Sequence, residues 1–175
     1  NYDLAGHDSH VNDVAFSPDG SMLATAGNWL TPDDWGTGVI LWSAHTGSEI
    51  RRFETTANGG TNSIAFSPDN QSLAIGTQRF DNSNSKAPSS GGVSLVQVSS
   101  GTVGWLVSVP GWARSVDFLP DGKSVAVLCG GRSVRFLGTA TGSVQHEIRQ
   151  TDSESGLWWD IDITPQGHRL AICGS

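Results

Sequence analysis

Near the start of the chain, His7-Asp8-Ser9-His10 brings two imidazoles, a carboxylate and a hydroxyl within four residues, types that ligate metals or move protons. Further acids with a chemical reading are Asp33, Asp34 and Asp81, the candidates for carboxylate work beside a nucleophile. Asp81-Asn82-Ser83-Asn84-Ser85 is rich in oxygen ligands, but it lacks the later Gly and Glu that complete a calcium loop. Gly122-Lys123-Ser124 has the end of a phosphate loop. The Gly required five residues earlier is Asp117, so the triplet belongs to a turn. There is no Gly-x-Ser-x-Gly elbow and no cysteine pair at zinc spacing. The sequence thus assembles no catalytic set, and no metal or cofactor is expected.

The elements that would position these residues repeat. Val11-Asn12-Asp13-Val14-Ala15-Phe16-Ser17-Pro18-Asp19-Gly20 returns as Asn62 to Asn70, as Arg114 to Gly122 and, in a worn form, as Asp160 to Gly167. Apolar residues alternate with small or polar ones, the period of a strand, and each copy stops at a Pro-Asp-Gly-type turn. The turn prolines lie at 18, 68, 120 and 165, between 45 and 52 residues apart. A second strand follows each turn (Leu23–Gly27, Leu73–Thr77, Val125–Cys129, Leu170–Gly174). A third follows in the first three units (Val39–Trp42, Val93–Val96, Val134–Leu137), and then a fourth around Glu49–Phe53, Val103–Val107 and Val144–Ile148. The fold class is all-β: a β-propeller segment of four-stranded antiparallel blades, three full blades and two strands of a fourth, with units of about 5–55, 56–108, 109–150 and 151–175.

On Gly6-His7 with Val11 close behind, the Phe-Ser-Pro-Asp-Gly turn, Leu23-Ala24-Thr25, and Val39-Ile40-Leu41-Trp42 before Thr46-Gly47, the chain resembles the WD40 family. The match is best in unit one and weaker afterwards. The resemblance implies that His7 hydrogen-bonds Thr25, which meets Trp42. An Asp that usually steadies the histidine is replaced by Gly36, so that link is absent or is supplied by Asp33 or Asp34. Units two and three lack this network, with Ile75 and Val127 for the hydroxyl and Val96 and Leu137 for the Trp; apolar packing alone is expected to hold them. Propellers close with about 4 to 8 blades, so the chain reads as an excerpt of a larger ring. Its open blade faces would be covered by the rest of that ring or by a second chain, or the last blade would be completed by the N-terminal strand.

Functional candidates lie where the units differ. Asn28 to Gly36 and Gln78 to Gly91 interrupt the turn from second to third strand, whereas unit three has only Gly130-Gly131-Arg132. Both insertions belong on the face that also carries the loops between blades. They hold Trp29, Asp33, Asp34, Trp35, Arg79 and Phe80, and Trp112 enters the same face from a loop. Aromatics beside Arg are the composition of interface hot spots, although Trp29 and Trp35 could instead fold back as a satellite core. Asn82 to Ser90 reads as a surface loop.

A net charge of −7 with two lysines and eight arginines argues against a phosphate-tracking, nucleic-acid-binding surface. No apolar run nears the ~20 residues of a membrane helix, so no membrane partner is expected. Two cysteines make no disulfide framework. Cys129 and Cys173 fall on second strands at opposite parity, so they could face each other across two blades; they are read as free buried thiols, in a cytoplasmic protein. The sequence reads as a non-catalytic protein- or peptide-binding scaffold. The alternative is a regulatory or sensing propeller of a larger signalling enzyme (kinase, protease or ATPase) whose catalytic domain is elsewhere.

Overall fold

Each repeated turn closes a hairpin because its side chains bind its own backbone. In the first, the Asp19 carboxylate accepts from the Ser21 amide (3.0 Å) and from the Ser17 hydroxyl (2.7 Å), and these bonds hold its pKa below the usual carboxylate value. The second turn repeats the Ser67–Asp69 contact at 2.6 Å and ends on Asn70, which takes the left-handed φ of 63° that glycine adopts in the others.

The computed structural model describes residues 2–30, 35–55, 59–79, 90–151 and 156–175. The first sheet is β1 (Val11–Phe16), β2 (Met22–Leu30), β3 (Trp35–Ser43) and β4 (Glu49–Glu54). A second holds β5 (Gly59–Phe66), β6 (Ser72–Arg79), β7 (Ser90–Gln97) and β8 (Val103–Pro110). The third contains β9 (Ala113–Phe118), β10 (Ser124–Cys129), β11 (Ser133–Gly138) and β12 (Val144–Arg149), and the last pairs β13 (Trp158–Ile163) with β14 (Leu170–Gly174). Strands pair in sequence order and every pairing is antiparallel. No strand is assigned to residues 2–10. Leu4 instead packs with Leu23, Ile40 and Trp42 on the outer face of the first sheet.

The core is a series of layers between sheets. Phe66, Ile75 and Val96 meet Phe53 and Leu41; Val93 and Leu95 meet Val125, Val127 and Leu137; Ala126 and Leu128 meet Ile161. A fully buried aliphatic side chain contributes about 1.5–3 kcal/mol, against about 0–1 kcal/mol for exposed ion pairs such as Arg52–Glu49. The layers, not the surface charges, hold the stack. Coverage by a neighbouring sheet decides burial: Phe16 is 67% exposed, while its counterpart Phe66, covered by the first sheet, is 7% exposed.

Polar contacts also cross the layers, which corrects the expectation of purely apolar packing in the second and third units. Each innermost strand carries a β-bulge, with Asn12, Asn62, Arg114 and Trp159 as the extra residues. Asn12 donates to the Thr61 carbonyl (2.8 Å) and Asn62 to the Ala113 carbonyl (3.2 Å) of the next sheet. The following residue reaches the same way. The Ile64 amide donates to Asp13 (2.8 Å), the Val116 amide to Ser63 (3.1 Å), and the Ser115 hydroxyl to Asp160 (2.7 Å). Within the third sheet Arg135 pairs with Glu147 at 3.0 Å.

Both cysteines are free, but only Cys129 is buried. Cys173, on β14, is exposed.

Candidate interaction face

The end of the blades where the innermost strands begin carries the sequence-level candidates. Three backbone rows there are equivalent: Val11 opposite Gly27, Thr61 opposite Thr77, and Ala113 opposite Cys129. Beyond Gly27 the β2–β3 ladder continues through Asn28–Thr37 and Trp29–Gly36 to Leu30–Trp35. Beyond Thr77 the β6–β7 ladder continues through Gln78–Gly91 to Arg79–Ser90. The third sheet stops at Cys129–Ser133. At about 3.3 Å per residue, two adjacent hairpins stand roughly 10 and 7 Å above their neighbour. Residues expected in inserted loops (Asn28, Trp29, Leu30, Trp35, Gly36, Gln78, Arg79, Ser90 and Gly91) are therefore strand residues. Trp29 and Trp35 are of an aromatic type that favours a pleated ladder, and the insertions lengthen the strands.

Trp29 and Trp35 take their places in this ladder, opposite Gly36 and Leu30. Asp33, Asp34, Phe80 and the Asp81–Ser85 run lie outside the described residues. Arg79 ends β6 and is exposed. Trp112 is half-buried, and its ring lies 4.4 Å from the Arg114 guanidinium carbon. The same guanidinium carbon lies 3.6 Å from the centre of the Trp159 ring. Sequence reasoning missed this pair of contacts because Arg114 sits at the bulge, where strand alternation breaks. Burial lowers the Arg114 pKa, and its Nη1 is enclosed without a hydrogen-bond partner among the described residues, so the two indole faces are what stabilise the cation.

Below the rim lies the polar chain of the first sheet. His7 Nε2 is 2.8 Å from Thr25 Oγ1, and the Trp42 indole N–H donates to the same oxygen at 2.9 Å. Because the indole must donate, the hydroxyl proton is left for His7 or for the Ile40 carbonyl at 3.5 Å. Burial is the main cause of a lowered His7 pKa, so the ring is neutral at pH 7. Two glycines make room for it. A Cβ on Gly27 would meet His7 Nδ1 at 2.8 Å, and one on Gly6 would meet the Trp42 ring at 2.7 Å. His10 is exposed and its Nδ1 contacts the Ser9 hydroxyl at 3.1 Å.

The strongly perturbed carboxylate is Asp117, on β9. Burial, with the negative charges of Asp162 and Asp160, raises its pKa to about 6 against the amide hydrogen bonds of Phe118 and Ile163. It belongs to the sheet interface and not to the rim. Among the described residues no group of three or more His, Cys, Asp or Glu side chains is placed to hold a metal ion, and no helix is long and apolar enough to cross a membrane.

The family model "WD domain, G-beta repeat" matches residues 1–35. Protein HIR1 of Yarrowia lipolytica is 37% identical over 71 residues, covering 41% of this chain and 6% of that protein. Small ribosomal subunit protein RACK1z of Arabidopsis thaliana is 35% identical over 75 residues, covering 43% and 20%. The chain therefore spans a small part of these relatives. Among solved structures, Kuenenia stuttgartiensis hydrazine synthase superposes with a TM-score of 0.71 at 19% identity, over 98% of this chain and 45% of that one. The RRP9 WD40 repeats give 0.71 at 16% identity, over 91% and 43%, and U3-55K gives 0.69 at 17% identity, over 91% and 44%. At these identities the structural likeness is one of fold. Four-stranded blades built on a repeated turn, the matching repeat model and the aligned relatives together make the chain similar to the WD40 β-propeller family.

Proposed function

We propose that the chain is a non-catalytic binding module that presents the rim of its first two blades to a protein or peptide partner. The observation that carries this reading is the pair of adjacent hairpins standing above the tight turn of the third sheet. They place Trp29, Trp35 and Arg79 at the end of the blades that also bears the Trp112–Arg114–Trp159 stack. Aromatic and arginine residues are suited to recognition, and rigid strands carry them at low entropic cost. WD40 repeats in general mediate protein interactions, which supports the class of partner.

The test is affinity capture with the chain and its Trp29→Ala and Trp35→Ala variants, quantified by mass spectrometry beside their melting temperatures. Loss of specific capture with an unchanged melting temperature is expected. Variants that melt early yet capture normally would make the two rings satellite core and end the rim reading.

A further inference from the structure

A cleft of about 320 Å³ opens between the first and second blades, below the rim. Its origin is visible in the strand register. The residue opposite Thr25 in the first sheet is Ile40, and its equivalent opposite Val127 in the third is Arg135, which the Glu147 ion pair fixes in place. In the second sheet the equivalent residue, opposite Ile75, is Ser94. Two residues on, Trp42 and Leu137 correspond to Val96. The second blade therefore lacks the bulk that the others place at this level, and space remains where they have side chains.

The walls have a chemistry. Phe53, Ile75, Val96 and Leu106 give an apolar floor, and Arg51 and Arg79 stand toward opposite ends. Arg51 is fixed by donating to the Ser99 (3.0 Å) and Ser100 (3.2 Å) carbonyls. Both partners are neutral, so its charge is not compensated by them. Arg52 also lines the cleft and pairs with Glu49, and Glu54 is the carboxylate on the wall. In a chain of net charge −7 this is a concentration of positive charge. From the Leu73–Val96 row to Arg79 is six residues, about 20 Å of groove. The cleft lies between β4 and β8, the edge strands of their sheets, whose outer backbone groups are available to an extended chain.

We propose that this cleft is a peptide site, distinct from the rim, that takes an extended segment of about six residues with apolar side chains in its centre and a carboxylate near each end. The carboxylates meet Arg51 and Arg79, and the apolar centre fills the volume left by Ser94 and Val96.

Fluorescence anisotropy on the whole chain tests it, using a panel of labelled hexapeptides with glutamate at both ends and varied apolar centres, and the same panel with lysine ends. Members of the glutamate panel should bind, and the lysine panel should not. Arg51→Ala and Arg79→Ala should each weaken binding by about tenfold, the scale of one charge-assisted hydrogen bond. Ser94→Ile, which restores the side chain of the first blade, should abolish binding without lowering the melting temperature. Trp29→Ala and Trp35→Ala should bind the peptides as the parent does, so loss of the rim reading leaves the cleft standing. Absence of binding across the glutamate panel, equal binding of the lysine panel, or undiminished binding by a folded Ser94→Ile chain would each overturn the proposal.

Discussion

Arg114 holds its guanidinium carbon 3.6 Å from the centre of the Trp159 ring, across the boundary between the third and fourth sheets. Both are bulge residues, and they occupy the place where Asn12 and Asn62 hydrogen-bond a carbonyl of the next sheet. One architectural position thus uses an amide twice and a cation–π contact once. With part of the cation enclosed, the contact should be worth about 1 kcal/mol. A double-mutant cycle of Arg114→Leu and Trp159→Leu, read from urea unfolding, measures it. Strict additivity of the two changes would show that the stack is geometry without energy.

Thr25 is the hub of the polar chain in the first sheet, since one oxygen serves both His7 and Trp42. Thr25→Val keeps the shape but leaves the Trp42 N–H and the His7 ring facing a methyl group. That should cost about 2 kcal/mol, whereas Thr25→Ser should keep the bonds and lose much less. The denaturant midpoint separates the two outcomes. Equal losses would assign the cost to packing of the Thr methyl.

The fold was legible because the turn that ends each innermost strand is spelled out four times, with spacing that leaves room for three more strands. The His7–Thr25–Trp42 chain was legible as a resemblance. Other features were not. Trp29, Leu30 and Trp35 looked like loop residues because family turns are tight there, yet the ladder runs on through them, helped by the β propensity of the two Trp. The Arg114 contacts with Trp112 and Trp159 depend on a bulge that a regular alternation hides. The replacement of Trp42 by Val96 was plain in the sequence. Its consequence, a cleft beside the apolar layer, needed the neighbouring Ser94 and Phe53 of the adjoining sheet.

The two cysteines should separate in a thiol titration. Cys129 is 2% exposed, and burial raises its pKa to about 11, so at pH 8 only about one thiol in a thousand is ionised. Cys173 is exposed on β14. One thiol per chain should react promptly with a maleimide in native buffer, and peptide mapping should locate it at Cys173. The second should appear only on unfolding. Prompt labelling of Cys129 would mean that the layer between the second and third sheets opens readily.

Asp117 and His7 pull the pH dependence of stability in opposite directions. For His7 the folded pKa is lowered, so the unfolded chain binds more protons, and its contribution is lost as pH falls below about 6.5. For Asp117 the folded pKa of about 6 lies above the unfolded 3.8, so the folded chain binds more protons. Its contribution is fully present below 3.8 and is lost as pH rises through 6. At pH 8 the ionised carboxylate is half-buried beside Asp160 and Asp162, and Asp117→Asn removes that charge while an amide oxygen can still accept from Phe118 and Ile163. The variant should melt several degrees above the parent at pH 8 and close to it at pH 4, with the difference growing between those limits. Because His7 is unchanged in both chains, the comparison isolates Asp117. A difference that stayed constant with pH would show that the Asp117 carboxylate titrates normally and that the sheet interface admits water to it.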